Sequence, residues 1–393
     1  MHTVTPGRLA LILGTLVAIG PLAIDTYLPA LPAMAQSLGT TVERVETSVA
    51  LYLIGAAFGQ LFGGQLSDRY GRHPVAYAGL ALFAAASIAI CFITNLQQLL
   101  LLRILQALGG GATVVIAAAS VRDFYAGREA ARVLTTIGLV MLVAPLLAPA
   151  IGAVILHSVH WQGIFVMLAA YAVLLVVLLW RALPPRPPRP AAGRGGMIAA
   201  YGRVLSHRVA LGYILANAFA FSAMFVFITD SAFLYMEHFQ ISSRLFPVLF
   251  GANVVVMLGL NRLNILLLRH FESPRMLQAG LLLQGLGTSL LLILVLLDAL
   301  TLVLTVPLVM ISCGAVSLVI PNAMASFLSF FEQDAGAATG LSGALQFLLA
   351  GTIGAMVTIL HTGSVLPMAL VMAGCSAVAI LAFTLLTRQR VAV

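Results

Sequence analysis

Residues 9–31 read LALILGTLVAIGPLAIDTYLPAL, with Asp25 as their one charged side chain. At about 1.5 Å per residue, a helix of this length crosses the roughly 30 Å hydrocarbon core of a bilayer. Working outward, runs of the same kind recur at 46–66, 75–94, 97–119, 133–156 and 163–180. A second series lies at 209–235, 245–267, 275–297, 300–322, 336–360 and 364–386. In lipid only helices and closed barrels satisfy their own backbone polar groups. Barrel strands are short and alternate apolar with polar residues. These runs do neither, so the sequence predicts an all-α membrane protein of twelve spans.

Composition agrees. Of the 393 residues 61% are hydrophobic and 8% charged, with a mean hydropathy of +1.08, whereas soluble domains carry roughly 25% charged residues. A net charge of +8 would suggest nucleic acid in a soluble protein. Here every basic residue is an arginine, and nearly all lie between the apolar runs, where topology signals belong. Nucleic-acid binding is therefore excluded. Cys91, Cys313 and Cys375 fall in apolar runs without metal-type spacing and read as small buried residues. The first run has no cleavage site after a short apolar core and reads as a retained span.

Between the sixth and seventh runs, RALPPRPPRPAAGRGG is too rich in Pro, Arg and Gly to pack. It reads as a linker. The expected organisation is a six-helix bundle over 1–182, a cytoplasmic linker over 183–207 and a second six-helix bundle over 208–393. With the N-terminus inside, seventeen arginines fall on inner connections or beside them, and only Arg44 and Arg244 on outer ones. This bias predicts both termini in the cytoplasm.

Charges inside a bilayer are costly and mark function. Asp25 lies in the first span and Arg103 in the fourth, at similar depths in the outer half of the membrane. A direct or water-bridged pair between them is allowed, and a carboxyl so placed can titrate near physiological pH. Gln106 shares a helix face with Arg103. Asp230 lies near the outer end of the seventh span, and Glu237 and His238 read as loop residues. Gly55, Gly59 and Gly63 repeat every four residues, and Gly109 to Gly111 form a second small-residue patch. Both patches predict close helix contacts. Pro145 and Pro149 share a face of the fifth span and predict a bend. The eight histidines are scattered; His157 and His160 stand one turn apart without a third ligand, so neither a metal site nor a membrane enzyme is expected. No repeated filter or charged ring suggests a channel.

The connection GGQLSDRYGRHP resembles the signature loop of the major facilitator superfamily, with Gly64, Leu66, Asp68, Arg69, Gly71 and Arg72 matching. DTYLPALPAM from Asp25 to Met34 resembles the first span of the Bcr/CflA drug-resistance transporters. SVRDFYAGREAAR, with Arg122 and Asp123, is similar to their fourth-span exit. APLLAPAIG, from Ala144 to Gly152, resembles their antiporter motif, with Ala144 where Gly is usual. HWQGIF, IPNAMASFL and DAGAATGLSGALQF continue the likeness along nearly the whole chain.

The resemblance implies two six-helix bundles around a central cavity lined by spans one, four, seven and ten, and alternating access. It implies a bacterial inner-membrane exporter of small lipophilic compounds, such as bicyclomycin or chloramphenicol-like antibiotics. Such an exporter is driven by protons, needs no cofactor and works as a monomer. Asp25 would bind the proton under the influence of Arg103. Tyr27, Gln106, Asp230, Phe221, Phe225, Asn253, Asn322 and Gln346 would face the substrate. Gly64, Asp68, Arg69, Gly71 and Arg72, with Arg122 and Asp123, would form a cytoplasmic gate. Pro145 and Pro149 would mark the antiporter helix. An uptake symporter of a small metabolite on the same fold is the alternative.

Overall fold

The computed structural model describes residues 6–125, 127–182, 196–331, 335–360 and 363–387. Fourteen α-helices follow one another among the described residues. They are α1 (Pro6–Asp25), α2 (Leu31–Ser37), α3 (Val42–Tyr70), α4 (Arg72–Ile90), α5 (Leu96–Phe124), α6 (Gly127–Ser158) and α7 (Gln162–Ala182). The second set is α8 (Gly196–Ser206), α9 (Arg208–Ala232), α10 (Phe246–Leu267), α11 (Ser273–Leu296), α12 (Leu302–Leu328), α13 (Ala335–Leu360) and α14 (Leu366–Thr387). Twelve segments are long and apolar enough to span a membrane, and their positions match the expected runs.

Several spans are longer than expected, and two of them extend in an unusual way. The first covers Gly7–Ser37 and the seventh Arg208–His238. The first is broken. Pro29 has no N–H and cannot bond the carbonyl of residue 25, so the α-helix stops at Asp25. A 3₁₀ turn, Leu28–Ala30, bridges to α2, which begins with Pro32 in its first turn. The seventh span ends in a π-helical turn, Phe233–His238, rather than in a loop. Glu237 and His238 are exposed at its end, whereas Asp230 is buried one turn before it.

The chain divides into two compact units, Met1–Gly193 and Arg194–Val393. Within the first, α1 packs on α6, α3 and α4 on α5, and α4 on α7. Within the second, α9 packs on α13, α10 and α11 on α12, and α11 on α14. The same pairing is thus written twice, as a duplicated six-helix unit requires.

The linker differs from expectation at its end. Residues 183–195 lie outside the described residues, but Gly196–Ser206 forms α8. Its Val204 is buried with Ala210, Tyr213, Phe327 and Ala338 of the second unit. The sequence Met-Ile-Ala-Ala-Tyr before Gly202 and Arg203 carries enough apolar surface to dock, so the second unit begins before residue 208.

Small residues set the helix distances. A methyl group on Gly55 would come within 2.7 Å of the Ile104 carbonyl oxygen, and one on Gly63 within 2.5 Å of Ala112 Cα. Gly79 of α4 likewise lies against the Gly109 carbonyl of α5. The α3 glycines therefore face α5, while Gly109 and Gly111 of α5 face α4 and α3, and the three backbones meet closely.

Candidate functional site

Among the described residues of the first unit, Arg103 is a fully buried charge. Asn95 caps α5 by accepting from the Gln98 backbone N–H at 3.0 Å, and Arg103 follows two turns into the helix. Its guanidinium lies between two rings, 4.4 Å from the centroid of Tyr27 and 4.3 Å from that of Tyr52. Desolvated cation–π contacts are worth about 2 kcal/mol each. Nη1 donates to Gln106 Oε1 at 2.5 Å. Gln106 Nε2 donates to Ser87 Oγ at 2.7 Å, and Ser87 Oγ donates to the Phe83 carbonyl at 2.7 Å. On the other side, Tyr27 OH and Ser48 Oγ share a hydrogen bond of 3.0 Å. One polar chain therefore ties the broken first span to α3, α5 and α4.

Asp25 and Arg103 make no ion pair among the described residues. The helix break brings Tyr27, two residues on, to the guanidinium instead. Asp25 is buried. The break lies against α6, where a side chain on Gly152 would overlap the Thr26 carbonyl oxygen. Gly152 closes the segment Ala144–Gly152, and α6 runs unbroken through Pro145 and Pro149. The antiporter-like segment thus supports the turn that follows Asp25.

Gln106 holds both neighbours in this chain. We expect Gln106→Leu to lose the acceptor for Arg103 and the donor for Ser87, and to cost about 1–3 kcal/mol. Thermal unfolding of the purified variant in detergent checks this; an unchanged midpoint would show the amide to be dispensable.

In the second unit Phe221 and Phe225 of α9 meet Phe347 of α13, with centroids 4.5 to 6.4 Å apart. Beside them Asn217 Nδ2 donates to Gln346 Oε1 at 2.8 Å. Asn322 lies elsewhere: its Nδ2 donates to Asn264 Oδ1 at 2.8 Å and ties α12 to α10. Asn253 turns its amide to the Phe250 carbonyl of its own helix, at 3.0 Å. Phe250 belongs to a second aromatic group with Phe227, Tyr235 and Phe246, around the π turn.

The expected gate loop is mostly helix. Gly64 and Arg69 lie within α3, α4 starts at Arg72, and Gly71 alone makes the turn with φ +95°. Arg72 Nη1 donates to Ser67 Oγ at 2.7 Å, and the Arg69 guanidinium lies 5.4 Å from the Tyr70 ring centroid. The side chains of Asp68, Arg122 and Asp123 lie outside the described residues. Sequence reasoning missed Glu46, Tyr52, Ser48 and Ser87 in the first unit, and Asn217 and Phe347 in the second. Of these, Glu46 alone carried a signal, a carboxyl at the edge of an apolar run.

Residues 12–355 match the model of the Major Facilitator Superfamily. The bicyclomycin resistance protein homolog of Haemophilus influenzae is 30% identical over 96% of both chains. A chloramphenicol resistance protein of Pseudomonas aeruginosa is 32% identical over 67% of this chain and 62% of its own. The xylose transporter XylE of E. coli, in a partially occluded inward-open conformation, superposes with a TM-score of 0.73 at 15% identity, covering 96% of each chain. That last likeness shows the fold alone. The chain belongs to the major facilitator superfamily, together with the bicyclomycin resistance protein homolog.

Proposed function

We propose that this protein exports small lipophilic drugs in exchange for protons, by alternating access and without a cofactor, as a monomer in a bacterial inner membrane with both termini in the cytoplasm. The observation that carries the reading is the buried Arg103, caged by Tyr27 and Tyr52 next to the helix break that ends on buried Asp25. A cation kept out of water is costly unless the site uses it. Asp25 takes the proton, and Arg103 sets how firmly it is held. The drug-resistance names of the relatives support a lipophilic substrate, and Phe221, Phe225 and Phe347 offer it adaptable apolar contacts. The arginine bias supports the orientation.

The direction of coupling is testable with purified protein in liposomes and labelled chloramphenicol. An exchanger accumulates drug in the lumen when the lumen is acidic, and nigericin abolishes the accumulation. Accumulation only into an alkaline lumen would make the protein an uptake symporter. No movement of chloramphenicol or of a panel of lipophilic antibiotics would remove drug export from the reading.

A further inference from the structure

Asn217, Phe221 and Phe225 stand four residues apart on α9 and so share one face of it. That face meets α13, where Gln346 and Phe347 are neighbours in the chain. One rung between the helices is polar, the 2.8 Å bond from Asn217 Nδ2 to Gln346 Oε1. The rungs after it are aromatic, with the Phe347 ring 5.5 Å from Phe221 and 6.4 Å from Phe225, centroid to centroid. From α11, Gln284 Nε2 donates to the Ala220 carbonyl at 2.9 Å and ties α9 down beside Phe221. Asn217 is 3% exposed and both α9 phenylalanines are 7% exposed, whereas Gln346 and Phe347 are half-buried. The α13 side of the face is therefore the open one.

The bonding of Asn217 is incomplete. A side-chain amide brings donors and an acceptor. Gln346 Oε1 takes a donor, and Asn217 Oδ1 is buried without a partner among the described residues. A buried carbonyl left unbonded is costly, and a leucine would fill the same place without that cost. A group that arrives with an N–H or O–H recovers the loss. A site built in this way favours ligands that carry the donor over those that lack it. Charge narrows the class further. Residues 209–229 and 335–360 hold no charged side chain, so neither stretch offers a carboxylate to a cationic drug.

We propose that Asn217 is a specificity-determining residue of the drug site, and that it selects uncharged aryl compounds with an N–H or O–H close to the ring. The ring of the drug joins Phe221, Phe225 and Phe347, at the centroid spacings aromatic groups favour. The drug's N–H or O–H donates to Asn217 Oδ1 when half-buried Gln346 swings aside. Chloramphenicol has this chemistry, a nitrophenyl ring with hydroxyl and amide N–H groups beside it. Tetraphenylphosphonium has the rings, a positive charge and no donor.

This assignment rests on the drug export proposed above, so binding and exchange are measured on the same full-length proteins. Each variant is checked for monodispersity by gel filtration in detergent. Equilibrium dialysis then gives the affinities for labelled chloramphenicol and labelled tetraphenylphosphonium, with no proton gradient involved. We expect Asn217→Leu to weaken chloramphenicol about tenfold and tetraphenylphosphonium less than about twofold. Phe347→Ala should weaken both. Wild-type affinity for chloramphenicol in folded Asn217→Leu overturns the proposal. An equal loss of both probes in that variant also overturns it, as the mark of a distorted face. Where Asn217→Leu does not fold, Asn217→Ala takes its place with the same two outcomes. If the wild-type protein exchanges chloramphenicol in liposomes while the Asn217 variants bind and exchange it unchanged, Asn217 is excluded and the export reading stands. Absence of both binding and exchange of chloramphenicol and other lipophilic antibiotics in the wild-type protein sinks the export reading itself.

Discussion

Asp25→Asn abolishes pH-driven drug exchange, to the level of empty liposomes, while expression and folding are retained. Asn has the size of Asp but can neither take nor release a proton. The position tolerates the change structurally, because the helix ends at Asp25 for a backbone reason, the missing N–H of Pro29. What is lost is the titrating group, buried in an apolar span two residues from the ring that cages Arg103. Downhill movement of drug without a proton gradient persists in the same variant, because the aromatic contacts of the second unit are untouched. Asp25→Glu retains the proton on a longer side chain and gives residual exchange. Undiminished uphill exchange by Asp25→Asn would move coupling off this residue.

Gly152→Val has the second large effect. Any side chain at this position would overlap the Thr26 carbonyl oxygen, and both partners are backbone, so no rotamer change relieves the clash. Either α6 or the helix break must move. Overpacking of this kind costs about 3 kcal/mol or more, a fall in melting temperature of on the order of 6 °C or more for a unit of this size. Exchange falls with it, because the break carries Asp25 and Tyr27. Differential scanning fluorimetry and the liposome assay check the two halves of the prediction. Wild-type values for both would show that α6 does not hold the break.

Much of this was legible in the amino-acid sequence. Long apolar runs separated by arginines fix twelve helices, because lipid leaves the backbone no other arrangement. The four-residue spacing of Gly55, Gly59 and Gly63 correctly announces close helix contact. The site was legible only in part. Asp25 and Arg103 stand out as charges in apolar surroundings, but the depth argument treats the first span as a straight rod. It breaks at Pro29, so the arginine meets Tyr27 rather than Asp25. Glu46 was passed over because a carboxyl at the edge of an apolar run looks exposed in sequence, yet it is fully buried. Asn217 and Phe347 are ordinary residues in sequence, and only the packing of α9 on α13 gives them partners.

Gly71 joins α3 to α4 by itself, at φ +95° and ψ +159°, a region essentially open to glycine alone and costing other residues about 1–3 kcal/mol. A junction of one residue has no slack. The two helices must behave as a bent lever, so that tilting one forces the other to follow. Lengthening the joint by a few flexible residues would uncouple them, leaving both helices intact but deaf to one another's motion.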